Sequence, residues 1–255
     1  MSWWGKVIGG GFGFMLGGPL GALAGMAVGH QFDKGMNIIE LEPGNTERVQ
    51  LAFFTASFSV MGYLAKADGK VSKSEIQMAE RIMGQMNLNA QQRKAAIELF
   101  NKGKQNDFEL DEVLRQFKQE CHRRTNLLQM FLEILIATAF ADNSFDDAEH
   151  KALLHIATQI GFNAQQLDHL INMVTAQQQS HAQTKQPGIE NAYAVMGVDK
   201  NVSDSELKKA YRRLMSQHHP DKLVAKGLPE EMIKLANEKT SEIKTAYEQI
   251  KKSRK

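Results

Sequence analysis

Residues 203–221 read SDSELKKAYRRLMSQHHPD, and the periodicity of this stretch decides the fold class. Ser203 followed three residues later by Glu206 is a capping-box start, in which hydroxyl and carboxylate satisfy each other's free backbone N–H groups. Behind it Leu207, Ala210, Tyr211 and Leu214 recur at helical spacing while Lys208, Lys209, Arg212 and Arg213 fill the opposite side. The pattern predicts an amphipathic helix from Asp204 to about His218. Pro220 pushes His219 out of the α region and so terminates it. Upstream, Asn191 to Val198 reads as a short apolar helix stopped by Gly197. Downstream, a helix from Glu230 to about Lys252 offers Ile233, Ala236, Ile243, Ala246, Tyr247 and Ile250 for antiparallel packing. The segment 191–255 is therefore expected to form a helical hairpin.

Charge is distributed unevenly around this module. The 255-residue chain carries 31 Lys+Arg against 29 Asp+Glu, a formal net charge of +2. The segment 191–255 holds 14 basic and 9 acidic side chains, so the basic excess belongs to the C-terminal quarter. A balance so close to zero does not suit a protein that coats nucleic acid, and no nucleic-acid partner is expected. The single cysteine, Cys121, excludes an internal disulfide framework and any Cys-based zinc site.

Ahead of the hairpin, Ala176 to Glu190 is polar, Gln-rich and broken by Pro187-Gly188, which predicts a flexible linker, set at 179–190. It closes a middle domain, 48–178, that contains an internal repeat with a constant offset. Ala67-Asp68-Gly69-Lys70-Val71-Ser72-Lys73-Ser74-Glu75 aligns with Ala141-Asp142-Asn143-Ser144-Phe145-Asp146-Asp147-Ala148-Glu149, and Asn89-Ala90-Gln91-Gln92 with Asn163-Ala164-Gln165-Gln166. Apolar runs of helical spacing, Val49 to Ala65 and Leu127 to Phe140, precede the two copies. The first, Val49 to Ala65, is short for a membrane span and carries Gln50, Thr55, Ser57 and Ser59, so it suits a soluble core helix better. The acidic turns admit two readings. Ser72 with Glu75, and Asp146 with Glu149, have capping-box spacing. Asp68, Glu75, Asp142 and Glu149 are also oxygen donors at matched places, but the alternating acidic loop of an EF-hand is absent. Capping is the expectation, with no metal and no cofactor.

At the N-terminus, the stretch from Val7 to Val28 contains no charged side chain. As a helix it would be about 33 Å long, enough for the hydrocarbon core of a bilayer. Trp3 and Trp4 stand where an interfacial anchor is expected, and Lys6 can snorkel to headgroups. Gly9, Gly13, Gly17, Gly21 and Gly25 recur every four residues and would form one small-residue ridge, a dimerisation face of the kind that drives helix association in lipid. Segment 1–32 is therefore expected to be a single-span anchor with a self-association face, followed by 33–47 as connector. Pro19 in mid-segment and the signal-peptide outline around Ala22-Leu23-Ala24 are the competing features.

Two of these regions resemble known families. The acidic-turn repeat resembles the TerB-like helical domain. The Tyr193…Gly197-Val198 opening, the Leu207 to Leu214 helix, the His219-Pro220-Asp221 loop and the Ala246-Tyr247 pair resemble the J-domain of DnaJ-type co-chaperones. With an N-terminal anchor, the whole resembles membrane-anchored DnaJ-like co-chaperones. The resemblance implies an all-α protein that is not itself an enzyme. Its partner would be a DnaK-type Hsp70, whose ATP hydrolysis is triggered by His219, Pro220 and Asp221 with Lys208, Arg212, Arg213 and Lys222 as the charged face. It also implies a bacterial inner-membrane location with a periplasmic N-terminus and cytoplasmic bulk, and a regulatory role in envelope signalling and capsule-polysaccharide induction. The alternative is a metal-binding stress-resistance protein acting through the acidic repeat.

Overall fold

The computed structural model describes residues 17–29, 45–66, 88–140, 145–182 and 188–254, with five positions between 77 and 86. Regular structure among the described residues is helical, with no strand. In chain order the helices are α1 (Gly18–Gly29), α2 (Asn45–Leu64), α3 (Ala90–Gly103), α4 (Leu110–Glu120), α5 (Thr125–Ala139), α6 (Asp147–Ile160) and α7 (Ala164–Ala182). They continue with α8 (Ile189–Met196), α9 (Asp204–His218), the short α10 (Pro220–Ala225), a 3-10 turn at Glu230–Met232, and α11 (Ile233–Ser253).

The uncharged run beginning at Val49 becomes the axis of the middle bundle: from Val49 to Leu64 every residue of α2 except Tyr63 is buried. Its polar members survive burial partly by bonding to their own helix, as Ser59 Oγ does to the Thr55 carbonyl at 2.8 Å. Against α3 the two backbones touch. A Cβ on Gly62 would stand 2.0 Å from the Phe100 carbonyl oxygen, and one on Gly103 only 1.8 Å from that of Ser59, so glycine alone permits this crossing. On the other side an aromatic chain links α2, α4 and α5, with ring centroids 6.0 Å apart for Phe53–Phe117 and 4.7 Å for Phe117–Phe131.

The repeat is visible in the caps. Asn89 and Asn163 each accept from the backbone N–H three residues on, and Gln92 and Gln166 return the bond to the cap's own N–H. Asp146 and Glu149 make the expected capping box at the start of α6, and Gly161 closes that helix at φ +103°. Ser72, Glu75, Asp68 and Asp142 lie outside the described residues.

Of the expected membrane span, positions 7–16 lie outside the described residues and the remainder is α1. Gly17 and Gly18 both take φ +59°, and Pro19, whose missing N–H costs nothing in a first turn, sits at the helix start. Gly17 is thus outside the helix that carries Gly21 and Gly25, so the described part of the ridge begins at Gly21, with Gly9 and Gly13 beyond description. Among the described residues no helix is long and apolar enough to cross a membrane. In this structure α1 lies on the bundle, with Leu20, Leu23 and Ala24 buried and the Leu20 N–H donating to Gln116 Oε1 at 2.8 Å.

The hairpin follows the expected plan, with α11 packing on both α8 and α9. Gly197 ends α8 at φ +61°, and Tyr211 and Tyr247 stack with centroids 4.2 Å apart. Arg254 clasps the three helices, donating to Tyr193 Oη at 2.8 Å and pairing with Asp204 at 2.7 Å. The linker is shorter than its composition suggests: α7 runs to Ala182 and α8 starts at Ile189, leaving 183–188 between helices. Glutamine is a good helix former, and Ala176 and Gln177 are buried, which carries the helix on.

Bundle and hairpin share their cores. Leu223, Leu228, Met232 and Ala236 join the apolar core of the bundle, while Met173 and Ala176 of α7 join that of the hairpin. Gly227 makes the closest approach. Its φ is +103°, and a Cβ there would stand 2.7 Å from Val49 Cγ1. Gln50 and Gln92 add hydrogen bonds across the seam, to the Leu228 carbonyl and to Glu231 Oε1.

Candidate functional site

The site is built on α9. Leu207, Ala210 and Leu214 are buried, and this places Lys208, Lys209, Arg212 and Arg213 in solvent on the opposite face. The N-terminal end is held as expected: Ser203 N–H donates to Glu206 Oε2 at 3.1 Å, and Glu206 N–H to Ser203 Oγ at 3.3 Å. Hydrogen bonds from Ser203 also keep the Glu206 carboxyl below its ordinary range.

At the other end Pro220 does more than stop the helix. His219 adopts φ −60°, ψ 123° and becomes the N-cap of α10, with Pro220 as its first residue. His219 Nδ1 accepts the Asp221 N–H at 3.2 Å, which places the imidazole proton on Nε2. The loop of the sequence is thus a corner between two helices, capped by His219. Asp221 is left outward with its side chain 90% exposed, and His219 is 45% exposed. Lys222 Nζ donates to Ser216 Oγ at 2.7 Å, tying the first turn of α10 to the last turn of α9. Leu223, fully buried, anchors α10 from beneath.

The corner therefore presents His219, Asp221 and Lys222 beside a helix face bearing Lys208, Arg212 and Arg213. Its groups are charged, exposed and rigidly mounted, and such a surface complements an opposite charge.

The remaining candidates recede. Glu149 is occupied in the α6 cap, and among the described residues no three His, Cys, Asp or Glu side chains are grouped to hold a metal. Cys121 is buried, which pushes its thiol up to about 12 and keeps it protonated. His150, His155 and His169 are not brought together: the first two face Asp168 and Asp111, and His169 packs against Gly197.

Sequence reasoning missed the residues that mount the corner. In the stretch from Leu223 to Pro229, Leu223, Leu228 and Pro229 are buried, and the segment docks the hairpin on the bundle. Its uncharged Leu, Val and Pro content was the available signal. Glu133, the sole charged residue of α5, was another.

Comparison with known proteins matches three stretches of the chain. The family described as "Tellurite resistance protein TerB" matches residues 54–172, and "DnaJ domain" matches 191–255, the whole hairpin with its corner. "Co-chaperone DjlA transmembrane domain" matches residues 1–39. The chain is 43% identical to the co-chaperone protein DjlA of Vibrio cholerae, covering all of this chain and 99% of that relative. It is 42% identical to that of Coxiella burnetii over the same shares, and 41% identical to that of Photobacterium profundum over 98% and 99%. The chain belongs to the DjlA co-chaperone family. An N-terminal transmembrane domain, a TerB domain and a J-domain thus stand in one membrane-anchored chain, helical throughout its described regular structure. No solved structure matches it.

Proposed function

We propose that the chain is a regulatory co-chaperone that stimulates ATP hydrolysis by a DnaK-type Hsp70 through His219, Pro220 and Asp221. The observation that carries this reading is the corner itself, a proline-locked pair of exposed polar side chains at the end of a basic helix. Lys208, Arg212, Arg213 and Lys222 steer an acidic ATPase domain toward it, and the hydrolysis happens on the partner, so this chain is not the enzyme. Because an ATP-driven Hsp70 is cytosolic, the bulk after residue 33 faces the bacterial cytoplasm and the short N-terminus the periplasm, in the inner membrane. Self-association through Gly21 and Gly25, with Gly9 and Gly13 upstream, would make the anchored form a homodimer. The regulatory output belongs to envelope signalling and capsule-polysaccharide induction. Involvement of Glu149 in a cap speaks against the metal-dependent alternative at that position.

The test is single-turnover ATP hydrolysis by the Hsp70 with the full chain in nanodiscs, at low and high salt. Stimulation is expected to vanish with His219→Gln and to weaken with salt, because exposed charges are screened. A folded wild-type chain that gives no stimulation would overturn the reading.

A further inference from the structure

Where bundle and hairpin meet, one carboxylate is buried among four helices. Glu133 of α5 is 5% exposed, Lys239 of α11 9% and His218, the last residue of α9, 2%. Lys239 Nζ lies 3.0 Å from Glu133 Oε2 and also donates to Gln177 Oε1 on α7. Gln129 Nε2 donates to Glu133 Oε1 at 2.9 Å, and His218 Nε2 stands 3.6 Å from the same oxygen. Two turns earlier on α5, Asn126 Nδ2 donates to the Gln217 carbonyl at 3.0 Å. That carbonyl is among the last four of α9, which have no partner within their own helix.

So α5, in the middle domain, grips a terminal carbonyl of the helix that ends at His219 through Asn126, and Glu133 stands against its terminal side chain, His218, whose ring nitrogens have no hydrogen-bond partner. A buried ion pair is a poor source of stability, since apolar replacements of similar volume do as well. What it supplies is geometry: Lys239 is satisfied in one placement of the hairpin on the bundle, and any slip leaves a buried charge unpaired.

We propose that Glu133, together with Asn126, is a positioning residue for the His219-Pro220-Asp221 corner. It holds the end of α9 on the middle domain so that the corner and the basic face engage the Hsp70 in one orientation. The inference rests on the co-chaperone reading above, and it gives the TerB domain a direct part in the stimulation. Burial pushes the His218 imidazole down and so keeps it neutral. For Glu133 burial pushes the other way, but the adjacent His218, the Lys239 ammonium and the bonds from Gln129 and Lys239 outweigh it and hold the carboxyl below its ordinary range.

The experiment uses the full chain in nanodiscs and titrates it into single-turnover hydrolysis by the Hsp70, reading maximal stimulation and half-saturating concentration separately. Hydrogen exchange of the amides between Gln217 and Lys226 is followed in parallel. Glu133→Gln is expected to lower the maximum about tenfold, the kind of loss that misplacing a reacting group causes. Asn126→Ala should lower it less. In both, half-saturation stays unchanged because the exposed cations are intact, and exchange quickens at the corner. Full maximal stimulation by both variants, each folded by circular dichroism, would overturn the proposal; should Glu133→Gln not fold, Asn126→Ala decides alone. Asp221→Asn separates the two levels. If it stimulates fully, the corner is not the trigger and the positioning role falls with it, while a wild-type chain that gives no stimulation sinks the co-chaperone reading itself; if Asp221→Asn is inactive while both positioning variants are normal, only the positioning role falls.

Discussion

The two copies of the repeat use one pair of equivalent positions in opposite ways. In the first copy Ser59 and Gly103 meet, and the missing side chain lets α2 and α3 cross at backbone distance. In the second copy the same two positions are Glu133 and Gln177. There the helices leave a polar socket, and Lys239 from the hairpin fills it. The caps are the same in both copies, Asn89 with Gln92 and Asn163 with Gln166, so local helix chemistry did not diverge. The difference teaches that one helical unit can be made a closed core element or a receptor by exchanging the residues at a single crossing. Both copies meet the hairpin, the first through Val49, Gln50 and Gln92, but only the copy without the tight crossing takes in its Lys239.

The most damaging way to break this comparison is to give the first copy a side chain. Gly103→Ala places a methyl 1.8 Å from the Ser59 carbonyl oxygen, and the helices must separate. We expect a loss of about 3 kcal/mol, the upper end for overpacking a core, measured as a lowered midpoint of denaturant unfolding. Gly188→Ala, with nothing within 4 Å of the added atom, is the control and should be near neutral. If Gly103→Ala were equally harmless, the claim of a closed crossing would fail.

A smaller effect sharpens the second half of the comparison, the dependence of the hairpin on the bundle. Leu228 is fully buried in the core of the bundle although it belongs to the J-domain stretch. Truncation to alanine should cost about 2 kcal/mol as a cavity. The informative readout is cooperativity: in the wild type, bundle and hairpin should melt together, and Leu228→Ala should split the transition. A hairpin as short as 191–255 has too little interior for much independent stability, which is why it borrows. Two transitions already present in the wild type would show that the shared core is not decisive.

The smallest expected effect is a pH dependence confined to the socket. His218 is held below its ordinary value of 6.5, by burial first and by Lys239 in addition, against the opposing pull of Glu133. As pH falls through 6.5, the unfolded chain takes up a proton that folded His218 refuses, so stability declines. Glu133, also lowered, keeps its contribution above 4.5 and loses it as pH falls through its folded value. The decline that begins near 6.5 should therefore be shallower in His218→Gln, while the acid limb below 4.5 is kept. His169, lowered by partial burial and Arg213, contributes to the same upper window, so the slope should shrink without vanishing. An unchanged slope would show that His218 is not neutral and buried as described.

Much of this molecule is legible in the residues alone. The bounds of α9, the stop at Gly197, the capping boxes at Ser203 and Asp146 and the repeat offset are short-range facts, settled by side chains within a helical turn of one another or by direct alignment. The candidate site is legible for the same reason, because Pro220 acts on the residue before it and the cations share one helix face. The helix boundary at Gly18 was less so. Pro19 could be read either as a tolerated interruption or as a first-turn residue, and the positive φ of Gly17 and Gly18 decides for the second in this structure.

The amino-acid sequence by itself determined the helices, their caps, the repeat and the identity of the outward residues, since each depends on local periodicity and local hydrogen bonding. Tertiary structure alone decided that Gly62 and Gly103 face each other's backbones, that Leu228 and Met232 complete the core of the bundle, and that Glu133 meets Lys239 from the far end of the chain. Such pairings obey no period. They depend on which apolar faces remain uncovered once the helices exist, and a buried charge then accepts the one arrangement that brings its partner within reach.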